Sequence, residues 1–447
     1  MSNNDSLNIL SDLIENAKRS GADAADAILV DSTSISVTCR MGQIERLERS
    51  ELNDIGLRVL SGNKQAIVAS SDRTGEAQNE LVERALAMAK TVPDDPYCGL
   101  ADPSLLATTL PTLDMCDNTE IETATLIDAA KTSEDSARSV DGVTNSDGAQ
   151  SSWGRSDVAL VASNGFERSY SSSGCSISAS VIAGDTDKGM ETDYDHTSAV
   201  YFSDLRDAAD VGRTAGERAV KRLGARKISS TKVPVLFDPR TARGLVGHLI
   251  NAINGTAIAR GTSFLKDSIG RDIFGNQINI FEEPHRPRGL RSKPCDAEGL
   301  PNHERLLIEN GILTSWLLDL RSARQLNLEP TGHAARGTSS APSPAATNIY
   351  LEAGAQSPDD MISEIRDGLY VTDVFGQGVN MLTGNYSRGA AGYWIEGGEL
   401  AYPVNEITIA GNLKNMFKTL TPASDLDIQF GLDAPTVRID SLSIAGT

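Results

Sequence analysis

The chain of 447 residues contains no run of eighteen apolar residues, so no transmembrane helix is expected. Its first twenty residues, MSNNDSLNILSDLIENAKRS, lack a basic segment followed by an unbroken apolar stretch. That pattern argues against a secretory signal, and the expected compartment is the cytoplasm. Cysteine is sparse: Cys39, Cys98, Cys116, Cys175 and Cys295 are odd in number and form no CxxC. A disulfide framework or a zinc ribbon is therefore not expected, and free thiols are the simpler account. Positive charge is also short, with 41 Lys and Arg against 61 Asp and Glu and a formal net charge of -20. A nucleic-acid-binding protein needs cations to neutralise phosphates, so direct nucleic-acid binding is not expected. Aromatic residues make up 5%, too few for an evident stacking platform. No GxSxG elbow and no GxxxxGK[ST] loop occurs, which removes two common routes to a hydrolase or a phosphate cradle.

Hydrophobic residues at 39% and charged residues at 23% fit a globular protein with an ample core. The length suggests two or three domains. Leu7, Leu10, Ile14 and Ala17 recur at helical spacing within 6–20. Strand-like segments follow at 25–30, 35–39, 43–48, 55–60 and 66–70, with turns at 40–42 and 61–63. A helix is predicted over 76–89. The segment 91–112, with Pro93, Pro96, Pro103 and Pro111, reads as a connector. Another helix is predicted over 120–138, strands over 156–161 and 166–182 about an Asn164-Gly165 turn, and a helix over 204–223. The stretch 225–232 reads as a linker. Beyond it the pattern is mostly strand and loop, with Glu309-Asn310-Gly311 as a hairpin signal. The expected fold class is α+β: an N-terminal α/β region with mixed helices and a long-stranded sheet, then a C-terminal β-rich domain opening with one helix. The expected division is 1–112, 113–225 and 226–447.

The most telling segment is Val233–Phe237, a turn at Asp238-Pro239-Arg240, and a helix within 244–263, GLVGHLINAINGTAIARGTS. Strand, turn, helix and Gly261-Thr262-Ser263 resemble the core of the TldD/PmbA family. Its members were named modulators of DNA gyrase and are regarded as metalloproteases. The resemblance extends to Gly56-Leu57-Arg58-Val59, to the Gly-, Ser- and Pro-rich stretch 331–348, and to the glycine-rich pattern 368–411 with Gly392-Tyr393-Trp394-Ile395. In the metal-binding TldD branch the helix carries His-Glu-x-x-x-His. The matching positions here are Val246, Gly247 and Asn251. Val and Gly offer zinc no donor, and Asn is a poor substitute for imidazole. Gly247 stands where a carboxylate would activate water. The branch's third ligand, a cysteine, has no counterpart within 421–430, TPASDLDIQF. The chain therefore resembles the PmbA (TldE) branch.

The remaining candidate donors fit ordinary structural roles. His248 has Asn251, Ala252, Leu245 and Gly244 as its helical neighbours, so it reads as a structural or surface histidine. His285, Cys295 and His303 are spaced too widely for a typical zinc site. His303-Glu304 precedes a hairpin, which cannot present a helical zinc motif. Glu282-Glu283 and Asp359-Asp360 read as solvated charge. Arg286, Arg288, Arg291 and Lys293 read as a solvated loop. Ser171–Ser173 and Ser339-Ser340 read as edge-strand and loop polarity, and Trp316 and Trp394 as core or interface residues.

The resemblance implies a PmbA/TldE-like subunit of a peptide-cleaving metalloprotease, acting in leader-peptide maturation or on unfolded segments. This chain would hold no cofactor, and zinc would sit in a TldD-like partner of a heterodimer. The cavity-lining elements would be the loop 331–348 and the strand around 385–395. The alternative is a stand-alone homodimeric peptide-binding or scaffold protein without catalysis.

Overall fold

The structure is a computed structural model that describes residues 3–185 and 189–446. Its N-terminal half is built on one six-stranded antiparallel sheet in the order β3-β2-β1-β4-β5-β6. These strands are β1 (Ala24–Arg40), β2 (Gln43–Ser61), β3 (Lys64–Ser70), β4 (Val143–Ala162), β5 (Glu167–Asp185) and β6 (Gly189–Ala199). Because β1 pairs with β4, segments on both sides of the 91–112 connector share this sheet. Four helices accompany it: α1 (Asn3–Arg19), α2 (Gly75–Thr91), α3 (Thr123–Arg138) and α4 (Ala208–Lys221).

The alternation of each strand decides what covers it. Ala25, Ala27 and Leu29 of β1 pack with Leu10, Leu13, Leu81 and Ala85 of α1 and α2. Further along β1, Ile35, Val37 and Cys39 pack with Leu126 and Ala130 of α3. The helices thus lie on one face. The other face carries Asp26 and Ile28 toward the C-terminal half, and Ile28 packs with Cys295.

The strands are longer than their apolar runs suggest. The segments 25–30 and 35–39 are one strand, and 43–48 and 55–60 are another, with a bulge opposite Thr38 and Cys39. Ser171–Ser173 lie in β5, an interior strand between β4 and β6, so they are not edge polarity. Their half-open face explains their type instead.

The C-terminal half contains two sheets. One has the order β16-β15-β14-β7-β19-β17 and closes on itself through a β16–β19 pairing. Its members are β7 (Thr231–Phe237), β14 (Asp367–Phe375), β15 (Asn385–Glu396), β16 (Glu399–Asn412), β17 (Leu420–Pro422) and β19 (Val437–Ala445). The other has the order β10-β9-β8-β13-β18, from β8 (Ile280–Glu282), β9 (Arg305–Glu309), β10 (Ile312–Leu313), β13 (Ile349–Leu351) and β18 (Leu432–Asp433). A short pair, β11 (Ala334–Ala335) and β12 (Ser343–Pro344), lies in the 331–348 stretch. The helices here are α5 (Pro239–Ala252), α6 (Gly255–Ala259), α7 (Leu320–Leu326), α8 (Pro358–Ser363) and α9 (Leu413–Lys418). The architecture is α+β, with the C-terminal half rich in strand.

The helix placed within 244–263 differs from expectation at both ends. It starts at Pro239, because Asp238 caps it by accepting from Thr241 N and proline suits the first helical position. It stops at Ala252, and Asn254 then caps the separate helix α6.

Candidate functional site

Helix α5 lies between the closed sheet and the loop before β18. Its apolar face, Ala242, Leu245, Val246 and Leu249, is buried in the C-terminal core. Val246 is 3% exposed. Gly247 lies beside Leu432, which a Cβ there would meet at 3.6 Å, an ordinary contact. Asn251 is exposed. His248 is half-buried, its ring 5.9 Å from Tyr386 and edge-on to it. Burial, with Arg388 nearby, holds its imidazole below the usual histidine range. The residues at these positions do not fit a zinc centre, since such a centre needs about three nitrogen, sulfur or carboxylate ligands. Among the described residues no group of three or more His, Cys, Asp or Glu is placed to hold a metal ion.

The first turns of α5 open onto a polar cleft. Pro239, Arg240 and Arg243 form one wall, Phe430 and Asp433 a second, and Asp195, His196, Arg206 and Arg218 the third. The cleft measures about 200 Å³. A neighbouring cleft of about 550 Å³ shares Pro239, Arg240 and Arg218 and runs along Tyr370, Tyr393 and Tyr402. The loop 424–431 is fixed from within: Asp425 accepts from Thr436 N at 2.9 Å and from its hydroxyl at 2.8 Å, and Phe430 N donates to Asp433 at 3.0 Å.

Most charges in this cleft are already paired. Arg240 donates to Asp193 at 2.8 Å, to Asp238 at 3.2 Å and to the carbonyls of Tyr194 and Thr372. Asp195 accepts from Arg218 at 2.8 Å and also from Arg206. Arg243 differs. Its guanidinium stacks on Phe430 at 4.3 Å from the ring centroid, and among the described residues it has no hydrogen-bond or ion-pair partner. His196 packs on the same ring at 4.6 Å. Burial, then the Arg243 charge, lowers its pKa below the usual histidine range. The row Thr38, Gln150, Ser178 and His196 runs across one face of the N-terminal sheet. Next to it runs Ser36, Ser152, Ser176 and Ser198. This floor is small and polar, its strands paired through the backbone, with the Ser152 and Ser176 hydroxyls bonded to each other at 2.8 Å.

A second charged cluster joins the N-terminal sheet to the C-terminal half. Arg58, 3% exposed, donates through Nε to Asp26 at 2.9 Å. Arg336 of the 331–348 stretch donates to the same carboxylate. Burial opposes ionisation of Asp26, but Arg58 and Arg336 together outweigh it and hold its pKa below the ordinary value. The stretch presses on β2 so closely that a Cβ on Gly56 would lie 2.0 Å from the Thr338 carbonyl oxygen. Beside it, Glu298 accepts from Leu320 N at 2.8 Å. Burial, then Asp296, pushes its pKa up to about 8.

Several readings from the sequence need correction. Glu282 is not solvated. It is 1% exposed and accepts from Thr347 N at 3.0 Å and from the Thr347 hydroxyl at 2.8 Å. It also lies 2.7 Å from His333 Nε2. The basic loop is not free in solvent either. Arg288 holds Asp114 and Asp204, each at 2.8 Å, and lies over the Tyr201 ring, while Ser292, Pro294 and Cys295 are buried. The 331–348 stretch docks on the N-terminal sheet through Arg336 and Thr338, and on Asn254 through the Pro344 carbonyl. Asp359 and Asp360 are exposed, as expected of solvated charge, and Asp360 also serves the capping box of α8. His285 pairs with Asn302 at 2.7 Å, and His303 is exposed. Trp316 is buried, and Trp394 packs partly buried against the core.

The comparisons with known proteins agree with this architecture. Models of the PmbA/TldA metallopeptidase match three stretches: domain 1 over 25–89, the central domain over 116–223 and the C-terminal domain over 230–446. The chain is 37% identical over 427 residues to the metalloprotease PmbA of Escherichia coli O157:H7, covering 95% of this chain and 93% of that one. It is 35% identical over 435 residues to a PmbA homologue of Haemophilus influenzae, covering 97% and 94%. A TldD homologue of Buchnera aphidicola is 26% identical over 247 residues, 51% of each chain. Among solved structures, a protein described as a modulator of DNA gyrase from Bacteroides thetaiotaomicron has the same fold, with a TM-score of 0.91, 23% identity and 98% of both chains covered. TldE from Thermococcus kodakarensis superposes with a TM-score of 0.87 at 20% identity, covering 98% of this chain and 100% of that one. No helix among the described residues is long and apolar enough to cross a membrane. The chain belongs to the PmbA/TldD metallopeptidase family.

Proposed function

We propose that this chain is the PmbA/TldE-like, non-catalytic subunit of a TldD/TldE-type metalloprotease in the cytoplasm. Zinc and bond cleavage belong to a TldD-like partner, and this chain helps to enclose and position an extended peptide. The substrates are leader peptides or unfolded segments. The observation that carries the reading is the α5 face with Val246, Gly247 and Asn251, which offers no adequate donor set at the positions matching His-Glu-x-x-x-His. The cleft at the head of that helix supports it. Arg243 has free donors there, and a row of small polar side chains lies alongside, a surface suited to a peptide backbone.

The test mixes the purified chain with a TldD-like protein from the same genome and follows peptide cleavage and metal content. The expected result is cleavage that requires both chains, with stoichiometric zinc only in the partner. Cleavage indifferent to this chain would remove the subunit role. Chelator-resistant cleavage by this chain alone would replace the reading with an autonomous hydrolase.

A further inference from the structure

The N-terminal sheet ends on one side in an unusual edge. Strand β3 covers β2 only from Ile55 to Ser61. Residues 43–53 of β2 have β1 on one side and no strand partner on the other among the described residues. They are all exposed. Ile44, Leu47 and Leu52 are 43%, 50% and 44% exposed. An edge of this length with open apolar side chains is a template for strand pairing.

We propose that this edge is where a second copy of the chain docks, antiparallel strand to strand about a two-fold axis through Leu47. Two independent constraints select that register. A two-fold axis normal to a sheet must pass through a residue that faces its own copy, because facing residues share a face. The second copy must also end its hairpin turn at 40–42 before it meets β3 beside Ile55, which places the axis no later than Glu48. An axis at Glu48 sets Glu48 against Glu48 and Glu45 against Glu51. An axis at Arg46 opposes two arginines, and one at Glu45 opposes two glutamates. Like charges directly opposite are destabilising. An axis at Ile44 or Gln43 runs into the turn at 40–42 within two residues and leaves most of the open edge unpaired. The axis at Leu47 opposes leucine to leucine and sets Arg46 of each copy against Glu48 of the other. Arg46 and Glu48 already form an ion pair at 2.6 Å within one strand. Two copies would therefore complete an alternating square of four charges on one face. On the other face the leucine pair would be removed from water.

The tests use the full chain. Sedimentation should show a reversible dimer whose dissociation constant rises roughly tenfold or more in Arg46→Glu or in Glu48→Arg. The double reversal Arg46→Glu/Glu48→Arg restores the alternation and should return most of the affinity. Leu47→Cys should give a symmetric disulfide dimer on mild oxidation, since facing Cβ atoms about 4.5–5.5 Å apart need only a small closing shift to reach the disulfide separation of about 3.5–4.5 Å; the wild type and Leu52→Cys serve as controls. A wild type that stays monomeric at every concentration overturns the proposal. So does a double reversal as weak as the single ones, or a disulfide dimer formed by the Leu52→Cys variant and not by Leu47→Cys. If the single reversals abolish only association with the TldD-like protein, the edge belongs to that partner and not to a second copy.

Discussion

Two Arg–Asp clusters tie the N-terminal sheet to the C-terminal half, and they differ in access to water. At Arg58, Asp26 and Arg336 the charges are closed off: the Arg58 and Asp26 side chains are 4% and 8% exposed and Arg336 is 0%. At the head of α5 the cluster opens to a cleft, with the Arg206 and Arg218 side chains 40% and 35% exposed. In the first, every charge was taken out of water and depends on its partners. In the second, solvent reaches Arg206 and Arg218 at the mouth, the Arg240–Asp193 pair across the two halves is nearly closed with side chains 12% and 4% exposed, and one cation, Arg243, keeps free donors. The same residue types therefore form a closed clamp in one place and line a solvent-open cleft in the other.

The largest effect should come from breaking the closed cluster. Asp26→Ala leaves two buried guanidiniums without a counter-ion and should cost about 3–5 kcal/mol, read from urea unfolding. Wild-type stability in that variant would show that Arg58 and Arg336 find other acceptors. Next comes Gly56→Ala, which drives a methyl into the Thr338 carbonyl. The 331–348 stretch must then lift, at a cost of about 1–3 kcal/mol, and limited proteolysis within it should quicken. Glu298 tests the closed environment by pH. Its pKa is raised on folding, so the protonated form favours the folded state. That stabilisation is present below the ordinary glutamate range and is lost as pH rises through about 8. Stability should fall over this window in the wild type, and Glu298→Gln should flatten the slope. The smallest effect on stability belongs to the open cluster. Arg243→Ala should change it by about 0.5 kcal/mol or less, yet raise KM several-fold for peptide cleavage by the assembled pair. An unchanged KM would take Arg243 out of the peptide path.

Parts of this fold are legible in the sequence and parts are not, for definite reasons. The turns at 40–42 and 61–63 appear where expected, and Met41, Gly42 and Gly62 take positive φ there. Strand β6 escapes a reading by hydropathy because its buried face is charged: Glu191, Asp193, Asp195 and Thr197 point inward. Arg218 of α4, Arg222 at its C-terminal cap and Arg240 of α5 neutralise those acids. An inward acid looks like surface until its cation is known. Within β2, the run from Gln43 to Asn53 has no apolar alternation because neither face is buried there. Arg58, between the apolar Leu57 and Val59, is the one local signal of the closed cluster. A charge alternating with core residues in a strand points to a covered opposite face, here the face that meets Arg336.

The sequence by itself determined the family, the α+β class and the lack of adequate metal donors at Val246, Gly247 and Asn251, because these depend on residue identity and local spacing. Only the tertiary structure decided which charges are closed and which are open. That depends on arginines and acids more than a hundred residues apart, such as Asp26 with Arg336, meeting across a sheet. Burial is a property of the whole packing, and no local pattern records it.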